Sequence, residues 1–330
     1  MLNWSETRVL VKVARMYYLE NMNQLEIANK LNLHRTTISK LLKKAREEGI
    51  VNITISNEYN ECVELENELE KIFDLKEVCV VPSAYSQTEI MAKKKLGIAA
   101  AELIKRIVRE GLVIGCAWGT TMAAIANALV EADCKAVPVT VIPLVGGPGN
   151  LESEYHVNTI CSKIATAFKA QAIYLYAPAV TADKKIKDTL IQDKNIKKIV
   201  ELWDKVDVAV VGIGAPLKSS NLIWSGYFGT DDIEYLKEKN AVGDICSRFY
   251  DIRGNIIKSY LDDRTISIEL EKLRNVKFSV GVAESAEKAS SILGALRGRF
   301  INVLITNETT ARLILELNED KSGEGDQWIM

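Results

Sequence analysis

The sequence predicts an α/β protein in which an N-terminal winged helix-turn-helix joins a larger domain built on a mainly parallel sheet. Three observations carry this. Helical periodicities fill residues 1–57, whereas from residue 76 onward short apolar runs alternate with helical stretches. Charge is also split: residues 1–57 hold nine Lys/Arg and five Glu, a net +4, leaving −6 on the other 273. The overall −2 therefore conceals a small basic module on an acidic body. So small an imbalance also arises by chance, and the residue pattern has to decide.

In the first segment, Val9, Leu10, Val13, Ala14 and Tyr17 form one apolar stripe of a helix that follows Ser5. Asn23 with Glu26 three residues later is capping-box logic and starts a second, short helix. Its inward residues are Ile27, Ala28 and Leu31. Asn32 tolerates the left-handed backbone that a tight turn needs. A third helix from about Arg35 buries Ile38, Leu41, Leu42 and Ala45, and presents Thr36, Lys40, Lys43 and Lys44 outward. Gly49 ends it, and Val51–Ile55 alternates like a short strand, the expected wing.

Two helices joined by a tight turn, the second with a Thr/Lys outer face, read as a DNA-binding helix-turn-helix. Arg35, Thr36, Thr37 and Lys40 are the candidates for base edges and nearby phosphates. Lys43, Lys44 and Arg46 are the candidates for more distant phosphates, where they add affinity without sequence choice. A generic three-helix bundle with a solvated basic face is the plainer alternative. Cys62, Leu65, Leu69 and Ile72 make a further helix over 58–73 that either packs on the large domain or joins two copies.

The larger segment supplies seven β-rich runs: 78–81, 112–116, 139–142, 173–176, 206–212, 278–283 and 303–305. Strands apolar along their whole length are buried on both faces, as in a parallel sheet, and ligands bind beyond their carboxyl ends. The loop Ala117-Trp118-Gly119-Thr120-Thr121 leads from such a strand into a helix. It offers backbone N–H groups and hydroxyls to an anion, although a merely capped helix looks the same. Gly146-Gly147-Pro148-Gly149 either lets backbone approach a ligand or is only a turn. Gly212-Ile213-Gly214 lacks the third glycine of a dinucleotide fingerprint, and no Walker A motif occurs, which disfavours a nucleotide switch. His156 reads as structural, and Asp262-Asp263-Arg264 as a solvated turn.

At 330 residues, 48% hydrophobic and 26% charged, the chain is long enough for about two domains and is not disordered in composition. No apolar run approaches the roughly 20 residues that span a bilayer. The six cysteines lie far apart with no C-x-x-C pair, so neither a disulfide framework nor a metal site is expected. A cytoplasmic location is expected, with no cofactor, no catalytic group and no membrane partner.

As a set these motifs resemble the SorC family of sugar-responsive bacterial transcription regulators, closest in pattern to the sorbose-operon regulators. The resemblance spans about residues 5–317. It rests on the helix-turn-helix preceded by Tyr17-Tyr18, on Ala117–Thr121, on Val242-Gly243-Asp244-Ile245-Cys246-Ser247-Arg248-Phe249, and on Lys288 ahead of Ile292–Gly298. Gly146-Gly147-Pro148 and Tyr155–Thr159 add the sorbose-like pattern. It implies a Rossmann-like, glucosamine-phosphate isomerase-like effector-binding domain that holds a sugar or phosphosugar without turning it over.

Carried over by position, Trp118, Gly119, Thr120 and Lys288 would hold a phosphate, with Thr121 beside them. Asp244 and Cys246 would meet the sugar, and Gly146 and Gly147 would line the site. Val145 stands where some relatives carry a Schiff-base lysine, so binding is expected to be non-covalent. The expected domains are 1–57 for DNA, 58–75 as linker helix, 76–317 for effector binding and oligomerisation, and a polar tail over 318–330. The partners are double-stranded operator DNA, a sugar or sugar phosphate, and further copies in a dimer or tetramer. The rival reading is a sugar-phosphate isomerase or deaminase with a DNA-binding appendage. It would need an acid/base pair near Thr120 and Lys288, for which only Asp244 offers itself.

Overall fold

The computed structural model describes residues 4–53, 60–83, 88–149, 152–216 and 229–319. They form two compact units that divide between Asn60 and Glu61.

The first unit contains α1 (Trp4–Tyr18), α2 (Gln24–Leu31) and α3 (Arg35–Glu47). Asn23 starts α2 with a complete capping box: its Oδ1 accepts from the N–H groups of Leu25 and Glu26 at 3.0 Å. Glu26 Oε2 accepts from Asn23 N at 2.8 Å. Asn32 closes the helix in the left-handed region, at φ 53° and ψ 46°. That conformation turns the chain from α2 into α3 within a few residues.

Val13, Met16, Ile27, Ala28, Ile38 and Leu42 make one cluster, and Leu10, Ala14 and Ala45 a second. Leu31 and Leu41 are half-buried against these clusters. The expected α1 stripe needs correction, because Val9 and Tyr17 are exposed and Met16 is buried in their stead. Helix α1 is apolar on more than one side, so periodicity alone does not choose the seam. Tyr17 instead sets its ring edge-on to Tyr18, with centroids 4.9 Å apart.

The expected wing strand is also absent from Val51–Ile53; Thr54 and Ile55 lie outside the described residues. Val51 donates its N–H to Ala45 O at 3.0 Å, closing α3 past Gly49 (φ +69°). That amide therefore completes a helix end, where a strand would need it for a ladder.

The second unit begins with α4 (Asn60–Phe73), whose Cys62, Leu65 and Leu69 join the large core while Ile72 is exposed. Helix α4 lies along β1 (Glu77–Val81): Glu70 Oε1 accepts from Val78 N and Glu66 Oε1 from Val80 N, both at 2.8 Å. The order continues α5 (Glu89–Ile107), β2 (Val113–Cys116), α6 (Thr120–Glu131), β3 (Thr140–Pro143), α7 (Val157–Ala167) and β4 (Gln171–Ala172). Next come α8 (Lys184–Gln192), α9 (Lys194–Leu202), β5 (Val208–Gly212) and α10 (Thr230–Glu238). A hairpin of β6 (Ala241–Ile245) and β7 (Arg248–Asp251) precedes α11 (Leu270–Leu273), β8 (Phe278–Val282), α12 (Ala289–Arg297), β9 (Val303–Asn307) and α13 (Glu308–Glu319).

The main sheet has the order β1-β9-β8-β5-β2-β3-β4, and every neighbouring pair is parallel. The fold is thus mixed α/β with a seven-stranded parallel sheet. Its central strands are buried along their length, as Val208–Val211 illustrate. All six cysteines are free. Among the described residues no helix is long and apolar enough to cross a membrane.

Two readings of this segment change. The run Ile173–Tyr176 is not a strand; β4 is the preceding Gln171–Ala172. Beyond Ile173, the Asn158 amide takes both backbone groups of Leu175 at 3.1 Å, so a side chain replaces the ladder. Nor is Asp262-Asp263-Arg264 merely solvated. Asp262 pairs with Arg248 at 2.7 Å and Arg264 with Asp232 at 2.9 Å, and both pairs are largely buried.

Candidate functional site

The sheet order contains a switch. From β2 the chain moves outward to β3 and β4, while from the adjacent β5 it moves the other way to β8 and β9. Loops that leave neighbouring strands in opposite directions open a crevice beyond the carboxyl ends. A cavity of about 590 Å³, open to solvent, lies there. Its wall is built by Ala117–Met122 after β2, Val145 after β3, Gly212–Gly214 closing β5, Asp244, Cys246 and Ser247 on the hairpin, and Lys288 after β8.

Each wall element has a local cause. Helix α6 starts at Gly119, whose φ of 120° is open to glycine and which has no side chain to cap the first turn. The positive end of the helix dipole therefore meets the cavity beside the Thr120 and Thr121 hydroxyls. Gly119 itself is held by its N–H, which donates to Tyr155 O at 3.2 Å. The Trp118 indole N–H is buried without a partner among the described residues.

The hairpin is fixed at both ends. Gly214 and Asp244 exchange backbone hydrogen bonds of 2.9 and 3.1 Å, tying β6 to the end of β5. A Cβ at Gly214 would lie 2.1 Å from Asp244 Oδ1, so only glycine lets that carboxylate sit there. On the far strand, Arg248 bonds Ser267 Oγ at 3.1 Å as well as Asp262. Tyr250 donates its hydroxyl to Ser291 O at 3.0 Å.

The electrostatics follow from burial. Asp244 is 7% exposed, and desolvation pushes its pKa up to about 6, against the pull of the Ser247 N–H and the Lys288 ammonium. Desolvation lowers the Lys288 pKa, with Lys93 adding repulsion, while Asp244, Glu284 and Glu89 act against the shift. Burial and the Asp244 charge push the Cys246 thiol up, so it stays protonated and is a weak donor, not a nucleophile. The cavity thus has a cationic, N–H-rich side and a carboxylate side, a pairing suited to a ligand with an anionic end and a hydroxyl-bearing end.

Asp244 has a testable stability signature. Its folded pKa of about 6 lies above the ordinary 3.8, so ionisation is harder in the folded chain. The penalty is absent below about pH 4, grows as pH rises towards 6, and is complete above it, at about 3 kcal/mol. Asp244→Asn is therefore expected to raise the unliganded Tm by roughly 5 °C at pH 7.5 and by little at pH 4. Calorimetry across that range checks it; a gain independent of pH would exclude an ionised, desolvated Asp244 as the cause.

Of the expected effector residues, Trp118, Gly119, Thr120, Thr121, Asp244, Cys246 and Lys288 come together on this wall. Gly146 and Gly147 are not among its lining residues. Gly146 N bonds Ile266 O and Gly147 N bonds Ala177 O, and added Cβ atoms would strike Pro178 and His156. These glycines serve close packing behind Val145. His156 caps α7, its Nδ1 accepting from Asn158 N at 3.2 Å, and burial lowers its pKa. Ser247 and Gly214 were missed as site residues. Ser247 stands inside the Asp244–Phe249 motif, and Gly214 belongs to a glycine pair set aside for failing a nucleotide fingerprint.

In the first unit, Arg35, Thr36, Lys40, Lys43 and Arg46 are exposed on α3, and Thr37 and Lys44 are half-buried on one shoulder. Lys43 has a weak surface partner in Glu47, at 3.7 Å.

A parallel α/β unit with a polyol- and anion-compatible crevice, in one chain with a compact basic three-helix unit, defines the class of ligand-responsive transcription regulators. Residues 57–316 match the family model described as "Putative sugar-binding domain". The chain belongs to the SorC family of transcription regulators with this domain. It is 40% identical over 317 residues to the sorbitol operon regulator of Klebsiella pneumoniae, covering 96% of this chain and all of that protein. It is 36% identical over 308 residues to the deoxyribonucleoside regulator of Bacillus subtilis (strain 168), covering 92% and 96%. The crystal structure of the full-length sorbitol operon regulator SorC from Klebsiella pneumoniae aligns with a TM-score of 0.74, covering 95% of this chain and all of that one. These relatives are regulators of transcription, not enzymes.

Proposed function

We propose that this regulator controls a carbohydrate-utilisation operon, and that a sugar or sugar phosphate held non-covalently in the β2/β5 crevice alters its hold on operator DNA. The observation that carries this is the single cavity wall joining the uncapped start of α6, Lys288 and Asp244. Trp118, Thr120, Thr121 and Lys288 take the phosphate, which Gly119 admits by lacking a side chain; Asp244 accepts from sugar hydroxyls, with Cys246 beside it. Val145 offers no amine for covalent capture at its position. Helices α2 and α3 act as a helix-turn-helix in which Arg35, Thr36, Thr37 and Lys40 meet the major groove, while Lys43, Lys44 and Arg46 lie over phosphates. The chain works as a homo-oligomer on paired half-sites. The ligand shifts its population because it binds one arrangement better than another.

A thermal-shift screen of hexitols, ketoses, aldoses and their phosphates tests the effector half. At least one phosphorylated sugar is expected to raise the Tm by several degrees, by mass action on the native state. That compound is then expected to change the DNA affinity of the full chain. If no compound shifts the Tm, the effector reading falls.

A further inference from the structure

The turn between β6 and β7 carries two burdens at one residue. Cys246 and Ser247 both have positive φ, 53° and 63°, the pattern of a two-residue type I′ hairpin turn. Such turns favour Asn-Gly or Gly-Gly, because side chains with a Cβ are strained there. Ser247 is also only 2% exposed, and its hydroxyl is buried with no hydrogen-bond partner among the described residues. Glycine would relieve the strain and remove the orphan hydroxyl together.

Among the described residues nothing compensates for either burden. The Ser247 N–H is engaged by Asp244, but any residue with a backbone amide would supply that contact. What serine alone adds is a buried, unpartnered hydroxyl on a residue that lines the cavity together with Asp244. Strained backbone and unsatisfied buried groups coincide where a ligand completes the structure. The Trp118 indole N–H is a second orphan on the same wall.

Resting on the effector reading above, we propose that Ser247 is a specificity-determining contact to a hydroxyl of the bound polyol. Ionised Asp244 can only accept, so it binds a ligand O–H. The Ser247 hydroxyl both donates and accepts, so it serves the neighbouring hydroxyl whichever way that group points. The Trp118 N–H donates to another ligand oxygen. The ligand class is thus a polyol, or polyol phosphate, with hydroxyls on adjacent carbons at its Asp244 end.

Ser247→Gly in the full chain tests this, with glucitol 6-phosphate and inorganic phosphate as probes. The unliganded Tm is expected to rise by about 2 °C, because strain and an orphan group are both removed. Affinity for glucitol 6-phosphate is expected to fall about tenfold, while affinity for inorganic phosphate, which brings no carbon-bound hydroxyl, is unchanged. Ser247→Ala removes the hydroxyl but keeps the strained Cβ, and is expected to show the same affinity loss with a smaller gain in Tm. Undiminished glucitol 6-phosphate binding in both variants overturns the proposal and leaves the effector reading standing. A fall in the unliganded Tm of Ser247→Gly overturns it as well, since the hydroxyl would then support the fold. A wild-type chain that binds neither probe overturns this proposal, and only failure of the whole thermal-shift screen overturns the effector reading with it.

Discussion

Replacing Lys43 and Lys44 together with alanine is expected to lower affinity for any DNA roughly 50-fold at about 0.1 M salt. The plot of log affinity against log salt should flatten by about two, because each phosphate contact releases about one counterion. The fold should not suffer. Lys43 gives up only a weak exposed pair with Glu47, and alanine favours a helix more than lysine does. Sequence preference should survive, since the candidate base-reading residues Arg35, Thr36, Thr37 and Lys40 remain. Fluorescence anisotropy on specific and random duplexes at several salt concentrations gives both quantities. An unchanged slope would remove both lysines from the DNA interface.

Lys288→Ala is expected to weaken binding of a phosphorylated sugar at least 100-fold and to leave an unphosphorylated polyol within a few-fold. Lys288 is the one ammonium on the described cavity wall, so no neighbour replaces it against a dianion. Its burial and the nearby Lys93 disfavour the charge, so its removal should not destabilise the unliganded chain. Titration calorimetry with glucitol 6-phosphate and glucitol separates the two ends of the ligand. Equal losses for both compounds would mean that Lys288 shapes the wall and does not read phosphate. Loss of DNA binding without any ligand would give it a structural role.

Much of the fold was legible because its causes are local or periodic. The capping box at Asn23 and Glu26 and the left-handed Asn32 can be read from residue types alone. The parallel sheet follows from strands apolar along their length. The features that were not legible depend on tertiary partners. Nothing local says that Asn158 will take the backbone of Leu175, or that Val51 will close α3. The β6–β7 hairpin was invisible as strands: Ala241–Ile245 contains Gly and Asp, and Cys246-Ser247 lacks any Asn-Gly signal. The cavity wall draws on segments from Ala117 to Lys288, which only the sheet order brings together. Motif resemblance marked most of those segments. It did not show that Gly146 and Gly147 face inward to the packing, because a glycine pair looks the same whether it admits a ligand or a neighbouring backbone.

The clasp of α4 on β1 has a consequence for how copies of the chain can associate. The outermost strand of a sheet normally offers a row of free amides, an open invitation to another strand. Here the carboxylates of Glu66 and Glu70 already occupy the amides of Val80 and Val78. A visiting strand would have to evict two acids and peel a helix away before it could pair. That rim is closed, so sheets from two copies cannot fuse across β1 into a continuous ribbon. Any assembly would have to use other surfaces, and the chain is protected on this side against runaway strand addition.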